Sequence, residues 1–293
     1  MLYLGIDLAW AEGSATKVAN ETGLAALDTD GMIVAAGWAR GIDAVVEWVT
    51  STLAERGEST RTREGASGET RTGTGCIIGV DAPVVIPNAT GMRLAERQVG
   101  MGYGRWKVAA NPSNMAMSWK GGLTLRHRLE ALGFVHVDGR HPAEDGARSF
   151  FECYPYTTLV GMTELGYDME RPRYKRLDRS LPVAEARAAR AAAGDELIRR
   201  MVALDAATPP LLMTSHPLTE WLTNEPSPLL DSRYKHREDL LDAVLCAWTA
   251  SIWHRHGDTR VQVLGRDDAP DSAGLLGTII APARDEQRVR WPR

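Results

Sequence analysis

The sequence has few cysteines, no long hydrophobic run and little net charge, and each of these shortages excludes a class of protein. Its three cysteines stand alone inside apolar runs, without the spacing of a disulfide framework or a zinc site. No apolar run reaches the roughly 18 residues of a transmembrane helix. Met1 leads directly into a strand-like segment, so we expect no signal peptide. Together these features predict a cytoplasmic protein that does not enter a membrane.

The charge balance excludes a strong attraction to nucleic acid over the whole surface. The net charge is −4 and the isoelectric point is about 6.0, whereas proteins that grip long duplexes carry a basic excess. Any site for a polyanion must therefore be a local patch. A small nucleotide-like or structured substrate is as compatible with the sequence as DNA is. The hydrophobic share of 44% is enough for a substantial core, and 293 residues suit a single α/β domain.

Apolar segments bounded by turn residues predict a sheet that begins with three strands at the start of the chain. Residues 2–7, 22–27 and 32–38 are strand-like. The last two flank Asp28-Thr-Asp-Gly31, whose Asp-Gly pair is typical of a hairpin. The first three strands should therefore be antiparallel. Later strands are predicted at residues 76–81, 148–155, 261–264 and 275–280.

Apolar residues at helical spacing predict helices between and after these strands. The predicted helices span residues 42–53, 93–99, 115–132 (with an interruption at Gly121-Gly122), 182–204 and 236–253. Residues 57–75 are rich in Glu, Arg, Ser, Thr and Gly and should form a flexible surface loop. The glycine-rich residues 100–104 should form another loop. We expect one domain over residues 1–293, with a helical elaboration at residues 84–147.

The stretch at residues 236–253 combines a nearly continuous apolar run with two acidic residues. A helix that is apolar on every side has to be buried in the core. Asp239 and Asp242 lie three residues apart and thus on one face of this helix. Two buried carboxylates repel each other unless a cation lies between them, and a divalent metal ion would supply it. Alternatively, Asp239 favours the positive helix N-terminus and Asp242 is merely solvated.

Acidic residues also end three of the predicted strands. Asp7, Asp81 and Glu152 each close an apolar segment, and a local turn explains any one of them. If the strands lie side by side, Asp7 and Asp81 meet at one edge of the sheet and face the helix. Carboxylates without neighbouring His or Cys suit Mg²⁺ or Mn²⁺ rather than Zn²⁺. Two such ions, about 4 Å apart, would support an in-line phosphoryl displacement.

Several motifs occur in an order that resembles a known family. They are Gly5-Ile-Asp7, Val80-Asp-Ala-Pro83, Glu152-Cys-Tyr-Pro155, Tyr174-Lys175 and Asp239-Leu-Leu-Asp242-Ala. In this order they are similar to an uncharacterised family of predicted nucleases with a ribonuclease H-like (RNase H-like) fold, the domain of unknown function 429. The resemblance implies a five-stranded mixed sheet, three antiparallel strands followed by two parallel ones, flanked by helices. The Asp-x-x-Asp-Ala motif also resembles that of RuvC-type Holliday-junction resolvases.

The resemblance further implies a metal-dependent nuclease that hydrolyses phosphodiester bonds in nucleic acid with two Mg²⁺ or Mn²⁺ ions. Asp7 would bridge the two ions. Asp81 and Asp242 would each complete one site, and Asp239 would lie beside Asp242. Glu152 would be a ligand, a general base or a residue that contacts the metal ligands without binding the ion itself. These five acids are the candidate catalytic residues.

Basic residues near these motifs are candidates for contacts with substrate phosphates. They are Lys175, Arg93 and Arg97, and a solvated side chain explains each of them equally well. His236, about one helical turn before Asp239, is either a surface histidine or an acid/base group.

Two other functions are compatible with the sequence. An actin-like or sugar-kinase-type phosphotransferase or ATPase would use Gly13-Ser14 and Thr16-Lys17 as a phosphate-binding hairpin. The segment from Asp81 to Pro83 supplies no glycine for the second phosphate loop, and proline lacks a donor amide. Alternatively, the RNase H-like fold is retained as a non-enzymatic scaffold, which fits the small net charge. Bound ATP would favour the first alternative, and a metal site would argue against the second.

Overall fold

The computed structural model describes residues 1–11, 13, 18–63 and 75–289, with the backbone alone for residues 57–63. These ranges contain seven α-helices: α1 (Ile42–Arg63), α2 (Leu94–Tyr103), α3 (Gly121–Ala131), α4 (Pro155–Gly161), α5 (Val183–Val202), α6 (Pro217–Asn224) and α7 (Asp231–His256). They also contain eight strands: β1 (Leu2–Asp7), β2 (Glu21–Leu27), β3 (Ile33–Arg40), β4 (Cys76–Val80), β5 (Val135–His136), β6 (Arg148–Glu152), β7 (Val261–Leu264) and β8 (Ile279–Pro282).

The main sheet is mixed and has the strand order β3-β2-β1-β4-β6-β5, while β7 and β8 form a separate antiparallel pair. The antiparallel arrangement of β1, β2 and β3 is confirmed, and β4 and β6 run parallel to β1. The sheet has six strands rather than the predicted five, because β5 pairs with β6 at the edge. A strand of two residues leaves no periodic signal in a sequence. Since β1, β4 and β6 are parallel, their carboxyl ends meet at one edge.

Alternate residues of the strands enter two hydrophobic cores, one on each face of the sheet. Helix α7 packs on one face, over Tyr3, Ile77 and Phe151. Residues of α1 and α3 join the core on the other face, together with Leu4 and Ile78. The predicted burial of α7 is confirmed, since every residue from 237 to 253 is buried. No helix in the described ranges, α7 included, is long and apolar enough to cross a membrane.

Glycines in the strands let α7 approach the sheet until backbone touches backbone. A Cβ atom added at Gly5 would lie 1.8 Å from the carbonyl oxygen of Ala243, and one at Gly23 would lie 2.0 Å from that of Asp239. A side chain of any size at either position would push the helix away. The close contact brings the first buried turns of α7, with their two aspartates, to the edge where β1 and β4 end.

Replacing Gly5 with Ala should therefore destabilise the fold. We expect a loss of about 3 kcal/mol or more, at the upper end of the cost of overpacking a core, because the obstacle is a helix backbone that cannot rotate away. Gly100→Ala is the matched control. Gly100 is exposed in α2 and an added Cβ would meet nothing within 4 Å, so this variant should gain about 0.5–1 kcal/mol. Urea denaturation of both variants tests the expectation, and equal stabilities would contradict it.

Several predicted boundaries differ from the observed ones. Helix α2 continues through the predicted loop at residues 100–104, because Val99 and Tyr103 bury one face of it, and this outweighs the cost of about 1 kcal/mol per helical glycine. Helix α3 begins only at Gly121, since the amides of Met115 and Ala116 donate to Asn88 and Ala89 instead of to a helix. The region at residues 84–147 holds β5 as well as α2 and α3.

Two further segments also depart from the expected boundaries. Helix α1 runs on to Arg63, so residues 57–63 are helical rather than part of the predicted loop at residues 57–75. Residues 64–74 lie outside the described part of the chain. The terminal pair of strands is present, but its second strand covers Ile279–Pro282 rather than residues 275–280.

Candidate metal centre

Three of the predicted acids come together at the carboxyl edge of the sheet. Asp7 ends β1, Asp81 follows β4, and Asp242 extends from α7. One carboxylate oxygen from each lies within 4.8 Å of the other two. Asp242 is fully buried, whereas Asp7 and Asp81 are partly exposed. The cluster is therefore anchored in the core and open to solvent on one side.

The ammonium group of Lys175 lies between two of these carboxylates. Its Nζ is 2.6 Å from Oδ2 of Asp242 and 3.8 Å from Oδ2 of Asp81. Burial lowers the pKa of Lys175, but the nearby carboxylates raise it further, so that the net pKa is well above the usual value. Burial likewise raises the pKa of Asp81 and of Asp242, and Lys175 opposes both shifts. Lys175 is thus a counter-ion of the carboxylates in this structure. Its predicted contact with a substrate phosphate stays a prediction.

Tyr174 holds the buried end of Asp242. Its hydroxyl donates to Oδ1 of Asp242 at 2.5 Å, and the Tyr174 ring is fully buried. The second oxygen, Oδ2, is also buried and lies 2.6 Å from the Lys175 ammonium. A buried carboxylate is costly unless a cation or a hydrogen-bond donor accompanies it. Lys175 fills that place here.

Asp239 lies beside Asp7, one turn of α7 before Asp242. Burial and the charge of Asp7 raise the pKa of Asp239 to about 9, and the two side chains share a hydrogen bond. The Nζ atom of Lys235 is 2.5 Å from Oδ1 of Asp239 and 3.0 Å from Oε1 of Glu238. The upward shift in pKa favours a proton on Asp239, and Lys235 opposes that shift. The predicted role of Asp239 as a metal ligand requires it to lose that proton, and it stays a prediction.

Glu152 and Arg93 form a buried ion pair behind the centre. The Nη1 and Nη2 atoms of Arg93 donate to Oε2 and Oε1 of Glu152 at 2.7 and 2.6 Å, and its Nε donates to Oε1 of Glu96 at 2.8 Å. Only 2% of Arg93 is exposed. The prediction that Arg93 contacts a substrate phosphate is therefore wrong, because the carboxylates of Glu96 and Glu152 already accept from the nitrogens of its guanidinium group.

The ion pair with Arg93 also changes the expected role of Glu152. Both of its oxygens accept from Arg93, so Glu152 is better placed to support the site than to bind an ion. Glu152 and Asp81 line the same small cavity, whose volume is about 50 Å³, which is room for one or two water molecules. Glu96 was missed at the sequence level. Its spacing of three residues from Arg93 at a helix start was the available signal.

The remaining predicted residues are engaged elsewhere. Arg97 is exposed on α2 and donates to the carbonyl oxygen of Met92. The ring of His236 stacks on Trp38 with centroids 3.7 Å apart, and its Nδ1 lies 2.6 Å from Oε2 of Glu21. These contacts give no support to a phosphate contact by Arg97 or to an acid/base role for His236.

Replacing Arg93 with Ala should destabilise the protein strongly. The variant leaves Glu96 and Glu152 buried without a counter-charge, which typically costs about 3–5 kcal/mol. Arg97→Ala is the matched control, because its exposed side chain should contribute within about 0.5 kcal/mol. Thermal and urea unfolding of the two variants measure the difference. Similar stabilities would show that the buried pair is not what holds this region together.

The sequence profile of one protein family, described as "Protein of unknown function (DUF429)", matches residues 5–268. The chain belongs to the DUF429 family. The match contains the five candidate catalytic acids (Asp7, Asp81, Glu152, Asp239 and Asp242), together with Tyr174 and Lys175. No curated protein and no solved structure matches the chain.

The donor set of this DUF429 protein fits a hard divalent cation. Its ligand atoms are carboxylate oxygens, which Mg²⁺ and Mn²⁺ prefer. Two observations support such a site: the oxygens of Asp7, Asp81 and Asp242 converge within 4.8 Å, and the buried Oδ2 of Asp242 already faces a cation, the ammonium of Lys175. Three carboxylates leave further coordination positions to water and to substrate oxygens.

Proposed function

We propose that this protein is a Mg²⁺- or Mn²⁺-dependent nuclease that hydrolyses phosphodiester bonds in nucleic acid. The observation that carries the proposal is the convergence of Asp7, Asp81 and Asp242 at the edge of a mixed sheet. Three buried or half-buried carboxylates repel one another. Lys175 offsets part of this repulsion, and a divalent ion would offset it further and also activate phosphoryl transfer.

The strand order supports an RNase H-like fold for the same protein. Without the short edge strand β5, the order is β3-β2-β1-β4-β6, and β2 alone runs opposite to the others. This order supports the arrangement of three antiparallel and two parallel strands that the family resemblance implied. In the proposed nuclease, β5 is an addition at its edge.

The residues of the centre have separable roles in the proposed reaction. Asp7, Asp81 and Asp242 would hold the ion, which when bound stabilises charge on the phosphate and lowers the pKa of water. Tyr174 fixes the orientation of Asp242 through its hydroxyl. Lys175, which lies between Asp81 and Asp242, would donate to a phosphate oxygen of the substrate when those carboxylates hold an ion. Asp239, next to Asp7, would contribute to a second ion if it is deprotonated.

The proposal is tested by removing and restoring the metal. Purified protein is incubated with end-labelled DNA and RNA oligonucleotides, single-stranded and duplex, in Mn²⁺, in Mg²⁺ and in EDTA. We expect cleavage with Mn²⁺ or Mg²⁺, complete loss in EDTA and recovery when Mn²⁺ is added back. Cleavage that persists in EDTA would exclude the proposed mechanism, and no cleavage of any substrate with either metal would favour a scaffold.

ATP binding distinguishes the phosphotransferase alternative. That function needs Gly13 to Lys17 as a phosphate hairpin, but residues 14–17 lie outside the described part of the chain. After Asp81 the chain continues with Ala82 and Pro83, which offer fewer amides to a phosphate than a glycine-rich loop does. Saturable binding of ATP in the presence of Mg²⁺, measured by calorimetry, would favour the kinase-like function over the nuclease.

A further inference from the structure

Two aromatic side chains lie beside Asp81, a partly exposed member of the carboxylate cluster. Trp10 donates from Nε1 to the carbonyl oxygen of Asp81 at 3.4 Å, and Trp10 and Tyr154 line the same cavity as Asp81. Both rings are partly exposed. The amide of Gly121 donates to the carbonyl oxygen of Trp10 at 3.2 Å, and Trp119 precedes Gly121 by two residues, so the backbone of Trp119 lies near that of Trp10. Trp119 is 60% exposed, although burial would be the default for so large a ring.

Cationic side chains lie against the ring of Tyr156, which is next to Tyr154. The guanidinium carbon of Arg171 is 4.3 Å from the ring centroid of Tyr156, and Lys175 Nζ is 5.0 Å from the same centroid. Tyr156 in turn contacts Tyr154, with centroids 5.8 Å apart. Arg171 also donates to the carbonyl oxygen of Lys107, an exposed residue. Positive charge and aromatic surface are therefore combined within one contact network that ends at the carboxylates.

We propose that the surface formed by Trp10, Trp119, Tyr154 and Arg171, here called the aromatic margin, binds single-stranded nucleic acid. The inference rests on the proposed function for the chemistry that follows binding, and it adds the class of substrate. Exposed rings stack on bases only where those bases are unpaired, as in single strands, loops and ends.

The charge of the protein favours a single strand over a duplex. A duplex is held through many phosphates and requires a broad basic surface, but the chain carries a net charge of −4. Single-strand binding obtains much of its free energy from stacking, which tolerates this charge as long as a few cations follow the backbone. Arg171 supplies such a cation beside the rings, and the exposed Lys107, whose carbonyl oxygen accepts from Arg171, can supply another.

Fluorescence anisotropy of a short fluorescein-labelled oligonucleotide tests the proposal. The same sequence is presented as a single strand and as a blunt duplex, with Ca²⁺ in place of Mn²⁺ so that binding is measured without turnover. We expect the single strand to bind at least about tenfold more tightly than the duplex. Equal or tighter binding of the duplex, or no binding of the single strand, would overturn the proposal.

Matched tryptophan variants test the location of the binding surface. Trp119→Ala should weaken single-strand binding about 5- to 100-fold, the range that corresponds to the loss of one stacked base. Trp221→Ala is the control, because Trp221 is 39% exposed on α6, where its ring centroid lies 5.3 Å from the guanidinium carbon of Arg237.

Arg171→Ala should also weaken binding, whereas Arg173→Ala should not, since Arg173 pairs with Asp178 at 3.0 Å. If the control variants lose as much affinity as Trp119→Ala, the aromatic margin is not the binding surface.

The binding assay and the cleavage assay fail independently. Preferential single-strand binding that depends on Trp119, without cleavage in Mn²⁺, would support the aromatic margin and exclude the nuclease. Metal-dependent cleavage of duplexes by a protein with no preference for single strands would support the nuclease and overturn the aromatic margin. Circular dichroism of each variant establishes that a loss of binding is not a loss of folding.

Discussion

Asp7→Asn should abolish Mn²⁺-dependent cleavage and leave the protein folded, with unchanged or higher stability in EDTA. Asp7 raises the pKa of Asp81, Asp239 and Asp242 through its negative charge. Removing that charge relieves the repulsion within the cluster, so the protein without metal should not lose stability. The rate should fall by more than about 100-fold, because residues that only support metal ligands already cost 10- to 100-fold when they are replaced.

Opposite changes in activity and in stability are what distinguish a functional carboxylate from a structural one. The measurements are the initial rate of oligonucleotide cleavage in Mn²⁺ and the urea midpoint in EDTA. Asp30→Asn is the control, since Asp30 is exposed in the turn between β2 and β3, and neither quantity should change. An Asp7→Asn variant that keeps full activity would exclude the metal-dependent mechanism, and one that unfolds would assign Asp7 a structural role.

The sequence was sufficient to predict the centre of the fold because burial leaves periodic patterns. The apolar run of α7 predicted a buried helix, and the Asp-Gly turn predicted the first hairpin; both are confirmed. The ends of α2 and α3 were harder to predict. They depend on which face the rest of the chain covers and on hydrogen bonds such as that from Met115 to Asn88, and neither is encoded in the local sequence.

The same distinction explains which site residues could be predicted. Asp7 and Asp81 follow parallel strands and therefore had to meet at one edge if the strands are neighbours. The pairing of Arg93 with Glu152 could not be inferred, because the two residues are 59 positions apart and no local pattern connects them. Lys175 was recognised as a basic residue near the site, but its position between two carboxylates depends on the path of the segment that carries it.

Lys175→Met should increase the affinity of the protein for Mn²⁺. The ammonium of Lys175 lies 2.6 Å from Oδ2 of Asp242 and 3.8 Å from Oδ2 of Asp81, so the lysine and the ion compete for the same oxygens. Methionine retains much of the length of the side chain and removes the charge. We expect Kd to fall by at least about tenfold, which corresponds to about 1.4 kcal/mol. Because the lysine is also proposed to contact the phosphate, cleavage should slow even though the metal binds more tightly.

Isothermal titration calorimetry with Mn²⁺, in the absence of nucleic acid, separates these two effects. Lys235→Met is the matched control, because Lys235 pairs with Asp239 and Glu238 rather than with the three converging aspartates. Its effect on the first Mn²⁺ bound should be smaller than that of Lys175→Met. An unchanged or weaker Kd in Lys175→Met would mean that the ammonium and the ion do not share ligands. The ion would then bind away from the oxygens of Asp81 and Asp242 that Lys175 faces, and the lysine would serve only to neutralise the buried carboxylates.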